Sequence, residues 1–89
     1  MVKKYQVEFL PKAIDDLKKL DKVIGQRIMS RIHWLADNYE NITPETLAGK
    51  LKGMFKLRAG DWRIIYSVNQ KIKMITIHMV GHRREIYKI

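Results

Sequence analysis

After its long helical stripe the hydrophobic pattern of this chain switches period, and that switch limits the fold more than any other feature. Ile24, Ile28, Ile32, Leu35 and Tyr39 recur at steps of four, four, three and four, a stripe that buries one face of a helix. Beyond Gly49 the apolar residues alternate instead. Phe55 and Leu57, then Trp62, Ile64, Tyr66 and Val68, follow the period-two rhythm of half-buried strands. A third, mostly apolar run covers Ile72 to Val80.

The first residues fill in the other elements. Tyr5, Val7 and Phe9 alternate with Lys4, Gln6 and Glu8, which predicts a strand. Pro11 ends that strand and suits the first turn of a helix. In this helix Ala13, Ile14, Leu17 and Leu20 form the inner face, with Asp15, Asp16, Lys18 and Lys19 outside. Asp21 is a good N-cap for the helix that carries the long stripe. The short link between the two helices predicts an antiparallel pair. Asn38 to Gly49, broken by Thr43-Pro44, reads as a connecting loop. The expected fold is therefore α+β in two layers: an N-terminal strand, an antiparallel helix pair and a three-stranded antiparallel sheet to which the first strand adds. The helix pair should cover one sheet face and leave the other available. At 89 residues the chain is expected to form one domain, 1–89.

Parity decides what the other face carries. Opposed residues in an antiparallel pair share a face. If Leu57 lies opposite Trp62 or Ile64, the loop around Gly60 has two or four residues. Lys56, Arg58 and Arg63 then share the opposite face, where three cations repel one another and a polyanion would offset the repulsion.

Charge bears on the partner. Eighteen Lys and Arg stand against nine acidic residues, a net charge of +9 and a pI near 10.0. Such a balance fits a binder of polyanions: nucleic acid first, an acidic protein second, an anionic membrane third. With 46% hydrophobic and 30% charged residues the composition is that of a globular domain. The absence of cysteine excludes disulfides, thiolate metal sites and a thiol nucleophile. No run approaches the ~20 apolar residues of a membrane span, and the first residues lack the apolar core of a signal peptide, so a cytoplasmic location is expected.

The densest chemistry is at the C-terminal end. Gly81, expected to let the backbone bend, precedes His82, Arg83, Arg84 and Tyr87. A guanidinium offers phosphate two parallel donors, an aromatic ring stacks on a base, and an imidazole moves protons near neutral pH. His33 and His78 have no spaced partner, so no metal site is expected. Trp34 reads as packing or a partner contact, Lys22, Arg27 and Arg31 as a solvated helix face, and the methionines as core fillers. No phosphate-cradling loop, serine triad or carboxylate pair is visible.

The runs Leu51-Lys52-Gly53, Phe55-Lys56-Leu57-Arg58, Gly60-Asp61-Trp62-Arg63-Ile64-Ile65-Tyr66-Ser67-Val68 and Val80-Gly81-His82-Arg83 through Tyr87, in that order, resemble the RelE branch of the RelE/ParE toxin superfamily. The resemblance spans nearly the whole chain. It implies the toxin of a type II toxin–antitoxin pair, an endoribonuclease that cuts mRNA, often on the ribosome, through attack of a ribose 2′-OH that leaves a 2′,3′-cyclic phosphate. It implies as catalytic groups Lys56, Arg63, Arg83 and Tyr87, with His82 a candidate acid, and assigns Arg58, Arg84 and Lys52 to the RNA backbone. A RelB-like acidic antitoxin, mRNA and the ribosome are the implied partners, with no membrane, metal or small-molecule cofactor. The chain departs from the family pattern at Met54, where some members carry a further lysine, and Tyr87 follows Arg83 two residues sooner than in the best-known member. A ParE-like DNA gyrase inhibitor and an inactive RNA-binding module are the alternatives.

Overall fold

The computed structural model describes residues 4–86. Strand β1 (Gln6–Phe9) leads through Pro11 into helix α1 (Pro11–Lys18), and helix α2 spans Lys22–Asn38. The Asp21 carboxylate caps α2 by accepting from the Ile24 N–H at 2.9 Å. A short edge strand β2 (Glu45–Thr46) follows, then β3 (Phe55–Ala59), β4 (Trp62–Asn69), β5 (Met74–His82) and a final turn of helix, α3 (Arg83–Ile86).

The five strands form one sheet in the order β1-β5-β4-β3-β2, antiparallel except for the parallel pair β1–β5. The α+β reading holds, with two additions. The stretch expected to be loop contains β2, and the C-terminal end contains α3. Neither has a signature in the sequence, because two strand residues and four helix residues are too few to show a period.

One face of the sheet is packed against the helices. Leu57, Ile64, Tyr66, Ile75, Ile77 and Val80 meet Ala13, Ile28, Ile32 and Leu35 in a single core. The inner face of α1 differs from expectation: Ile14 is exposed and Asp16 is buried. The cause lies in β5. The β4–β5 register shifts between Ile65 and Tyr66, so that Ile65 pairs with Met79, Tyr66 with Ile77, and His78 is extra. Just beyond this bulge the Val80 N–H donates to Asp16 Oδ2 at 3.0 Å, while Asp16 Oδ1 accepts from Lys12 at 2.6 Å. A buried backbone donor needs an acceptor, and α1 supplies one.

Candidate RNA-binding and cleavage site

The β3–β4 hairpin sets the site. Its loop is the two-residue Gly60–Asp61 turn, with Gly60 at φ 63°, where glycine is unstrained. Leu57 lies opposite Ile64 and Arg58 opposite Arg63, with Lys56 opposite Ile65. Lys56, Arg58 and Arg63 therefore share the face turned away from the helix core, as parity predicted.

Their surroundings are not those of three solvated cations. Glu45 of β2 lies directly across the ladder from Lys56. Its carboxylate meets Lys56 Nζ at 2.9 Å and Arg58 at 3.4 Å. The hydrogen bond from Lys56 holds the Glu45 carboxyl below its ordinary 4.5, with the charges of Lys56, Arg58 and Arg63 acting in the same sense. Glu45 was missed in the sequence because it stands in an expected loop. The signal that singles it out is scarcity. From Glu45 onward only Glu45, Asp61 and Glu85 are acidic, among ten Lys and Arg, so an acid there has a cation within reach.

Arg63 is buried, at 6% exposure. Its Nη1 donates to the Gly60 carbonyl at 2.7 Å and to the Trp62 carbonyl at 2.9 Å. Its Nε is, among the described residues, the buried side-chain polar atom without a partner. Arg63 pairs with Gly81 across β4–β5, and a Cβ placed on Gly81 would lie 3.1 Å from Ile86 Cδ1. Gly81 stays within β5 and has no positive φ. It serves a close approach rather than the expected bend: α3 lies over it, closing part of the sheet face that was expected to stand open.

The hairpin turn also holds the C-terminal segment. The Arg83 N–H donates to the Asp61 carbonyl at 2.8 Å, and the Asp61 carboxylate is 3.9 Å from Arg83 Nε. The His82 ring packs edge-on against Trp62, with centroids 5.6 Å apart, and His82 Nδ1 accepts from the Arg84 N–H at 3.3 Å. His82 thus pairs with Trp62 on the side of the sheet opposite Lys56 and Arg58. Arg83 and Arg84 are exposed on α3, and Lys52 is exposed in the turn before β3. Tyr87 lies outside the described residues. Strand pairing brings Lys56, Arg58 and Arg63 together, α3 adds Arg83 beside the hairpin turn, and His82 is held apart from them.

The remaining histidines have ordinary settings: His33 is exposed on α2, and His78 shares a 2.7 Å hydrogen bond with Ser67. No helix of the described residues is long and apolar enough to cross a membrane.

A family model described as the ParE toxin of the type II toxin–antitoxin system parDE matches residues 7–87. An Escherichia coli protein described as RelE-like is 31% identical over 93 residues, spanning 97% of this chain and 93% of that relative. A chain of the toxin–antitoxin complex RelBE2 from Mycobacterium tuberculosis is similar in structure with a TM-score of 0.81 at 27% identity, covering 90% of this chain and 92% of that one. The RelE–RelB complex from Pyrococcus horikoshii OT3 gives a TM-score of 0.71 at 27% identity, over 91% and 97% of the two chains. With a family model that covers all but its ends and a RelE-like relative 31% identical along nearly its whole length, this chain belongs to the RelE/ParE superfamily, the toxins of type II toxin–antitoxin systems.

Proposed function

We propose that this toxin is an endoribonuclease that cuts mRNA on the ribosome and so stops translation, and that an acidic, RelB-like antitoxin silences it by covering the cationic face. The observation that carries this reading is the Glu45–Lys56 pair set beside Arg58. It joins a proton acceptor to cations that fit a phosphate. In a carboxylate–ammonium pair at neutral pH the lone pair is on the carboxylate and the proton on the lysine. Glu45 is therefore the member that takes the proton of the ribose 2′-OH, and Lys56 orients it. This fills the role left open by Met54.

The 2′-oxygen then bonds to the adjacent phosphorus as the bond to the 5′-oxygen breaks, leaving a 2′,3′-cyclic phosphate and a 5′-OH. Arg83, exposed beside the hairpin turn, carries the charge that builds on the phosphate, and Arg63 supports it by holding the Gly60 and Trp62 carbonyls of that turn. In-line attack asks for base and acid on opposite sides of the phosphorus. The acid for the 5′-oxygen accordingly comes from the C-terminal segment, where Tyr87 also orients the nucleotide; His82, turned toward Trp62 on the other side of the sheet, does not reach that oxygen. Arg58, Arg84 and Lys52 hold the RNA backbone.

The test is primer extension on mRNA after induction of the toxin, with chemistry of the ends. Cuts bearing a 2′,3′-cyclic phosphate are expected, and Arg83→Ala should lower the cleavage rate about 10²-fold or more, the size of a lost donor to developing charge. Unchanged cutting in that variant sinks the assignment. The match to the ParE model favours a second reading, inhibition of DNA gyrase without nuclease activity. It predicts trapped gyrase–DNA complexes with mRNA intact.

A further inference from the structure

A second feature opens beside the Glu45–Lys56 pair, on the α2 side of the sheet edge. Trp34 of α2 leaves 40% of its surface exposed, unusual for a residue so rich in apolar area. The Arg31 guanidinium lies over its ring, 4.5 Å from the centroid. Arg31 is itself fixed, because its Nε donates to the Arg58 carbonyl at 3.1 Å. That carbonyl is on the outer edge of β3, beyond the two residues that β2 pairs, so α2 caps an edge that would otherwise be bare.

Between these groups and the loop before β2 is a cleft of about 240 Å³, lined by Arg31, Trp34, Pro44, Glu45, Lys56 and Arg58 among others. One wall is π-rich, formed by an indole with a guanidinium over its ring. Pro44 adds an apolar surface. The other wall holds an ammonium and a guanidinium that share one carboxylate. A ligand that satisfies both walls has a flat ring joined by a short link to an anion with several oxygens. A nucleotide is such a ligand, the base stacking on aromatic or guanidinium planes and the phosphate meeting the cations.

We propose that this cleft is a subsite for one nucleotide of single-stranded RNA next to the cleavage position, with its base on Trp34 and Arg31 and its phosphate exchanging with Glu45 for Lys56 and Arg58. The inference rests on the nuclease reading for its direction along the RNA, but not for the binding itself. Entry of the phosphate releases the Glu45 carboxylate from its ion pairs, so filling the subsite frees the proton acceptor. Arg31 thereby leaves the solvated helix face on which sequence alone put it, and Trp34 acquires a role other than packing.

The probe is a short single-stranded RNA with 2′-O-methyl riboses, which binds but lacks the attacking hydroxyl. It is titrated into the full chain, with tryptophan emission recorded for the native protein and for Trp34→Phe, in which only Trp62 reports. Quenching in the native protein that disappears in Trp34→Phe is expected. Trp34→Ala and Arg31→Ala should each weaken binding about tenfold, the scale of one lost stacking contact, whereas Lys18→Ala on α1 should not. Adenosine monophosphate alone should quench far more weakly than the RNA.

RNA binding of native strength in Trp34→Ala, or quenching that persists in Trp34→Phe, overturns the proposal. So does equal affinity for the mononucleotide, which would make the cleft a small-molecule site. Quenching by an acidic peptide but not by RNA overturns it in favour of a protein-binding cleft. A parallel assay with unmodified mRNA separates the two readings. Trp34-dependent binding without cleavage removes the nuclease and keeps the subsite, and cleavage with an indifferent Trp34 removes the subsite alone.

Discussion

The two faces of the sheet are held by different means. On the helix side, isoleucines, Leu35, Leu57 and Tyr66 interlock in a core, and the buried charge there, Asp16, is fully used by Lys12 and the Val80 N–H. On the other side charges accompany buried Ile65 and Ile86: Glu45 spans Lys56 and Arg58, Arg63 is spent on the carbonyls of its own hairpin turn, and Asp61 pairs with Arg83. An apolar face gains from every group placed on it. A cationic face gains only when an anion is supplied, and this chain supplies two of its own, Glu45 and Asp61. Glu45 and Asp16 sharpen the contrast. Both are carboxylates beside a lysine, but one is locked under a helix while the other sits at an edge where a ligand can replace it.

Substitutions at these acids separate the two faces. The largest effect should come from Glu45→Gln. Cleavage is expected to slow about 10²-fold, the low end of what a positioned base contributes. Binding of uncleavable RNA should hold or tighten, because Lys56 and Arg58 lose their internal anion. A parallel loss of affinity would show that Glu45 shapes the surface rather than taking a proton.

Asp16→Ala should act on the fold alone. It leaves the buried Val80 N–H without an acceptor, a loss of about 1–3 kcal/mol, read as a lower urea midpoint with an unchanged slope. Cleavage at temperatures where the variant is folded should match the native protein. Asp61→Asn comes next: its carboxylate is exposed and 3.9 Å from Arg83, so stability should move by no more than about 0.5 kcal/mol. The Arg83 N–H should stay protected from exchange through the Asp61 carbonyl.

The smallest effect is the titration of Glu45. Its carboxyl is held below 4.5 by Lys56. For a lowered carboxyl the stabilisation is complete above the ordinary value and is lost as pH falls through the lowered one. Carbon-detected NMR should therefore give Glu45 a midpoint below 4.5, and Lys56→Met should move that midpoint upward. An unmoved midpoint would mean that the pair does not persist in solution.

Much of this was legible before the structure. The period switch separated the helix pair from the strands that follow it, and parity put Lys56, Arg58 and Arg63 on one face, because alternation is a property of any extended chain. What escaped was produced by tertiary contact. Asp16 reads as a surface residue until β5, beyond its pairing with β1, presents the Val80 N–H to it. Arg63 reads as a solvated cation until α3 and Ile86 close over Gly81. Glu45 belongs to a strand of two residues that exists only because β3 offers it a ladder. His82 follows Gly81 in sequence like its neighbours Arg83 and Arg84, but alternation along β5 turns it toward Trp62.

The parallel pairing of β1 with β5 bears on how the chain is made. Glu8 accepts from Thr76, 68 residues later, so β1 leaves the ribosome well before the strand it pairs with. Contacts so distant in sequence form late, and β5 is also the strand that delivers Arg83. A chain synthesised only as far as β4 therefore lacks both the strand that joins β1 to the sheet and the segment that carries Arg83, so the cationic site is assembled only after β5 has been made.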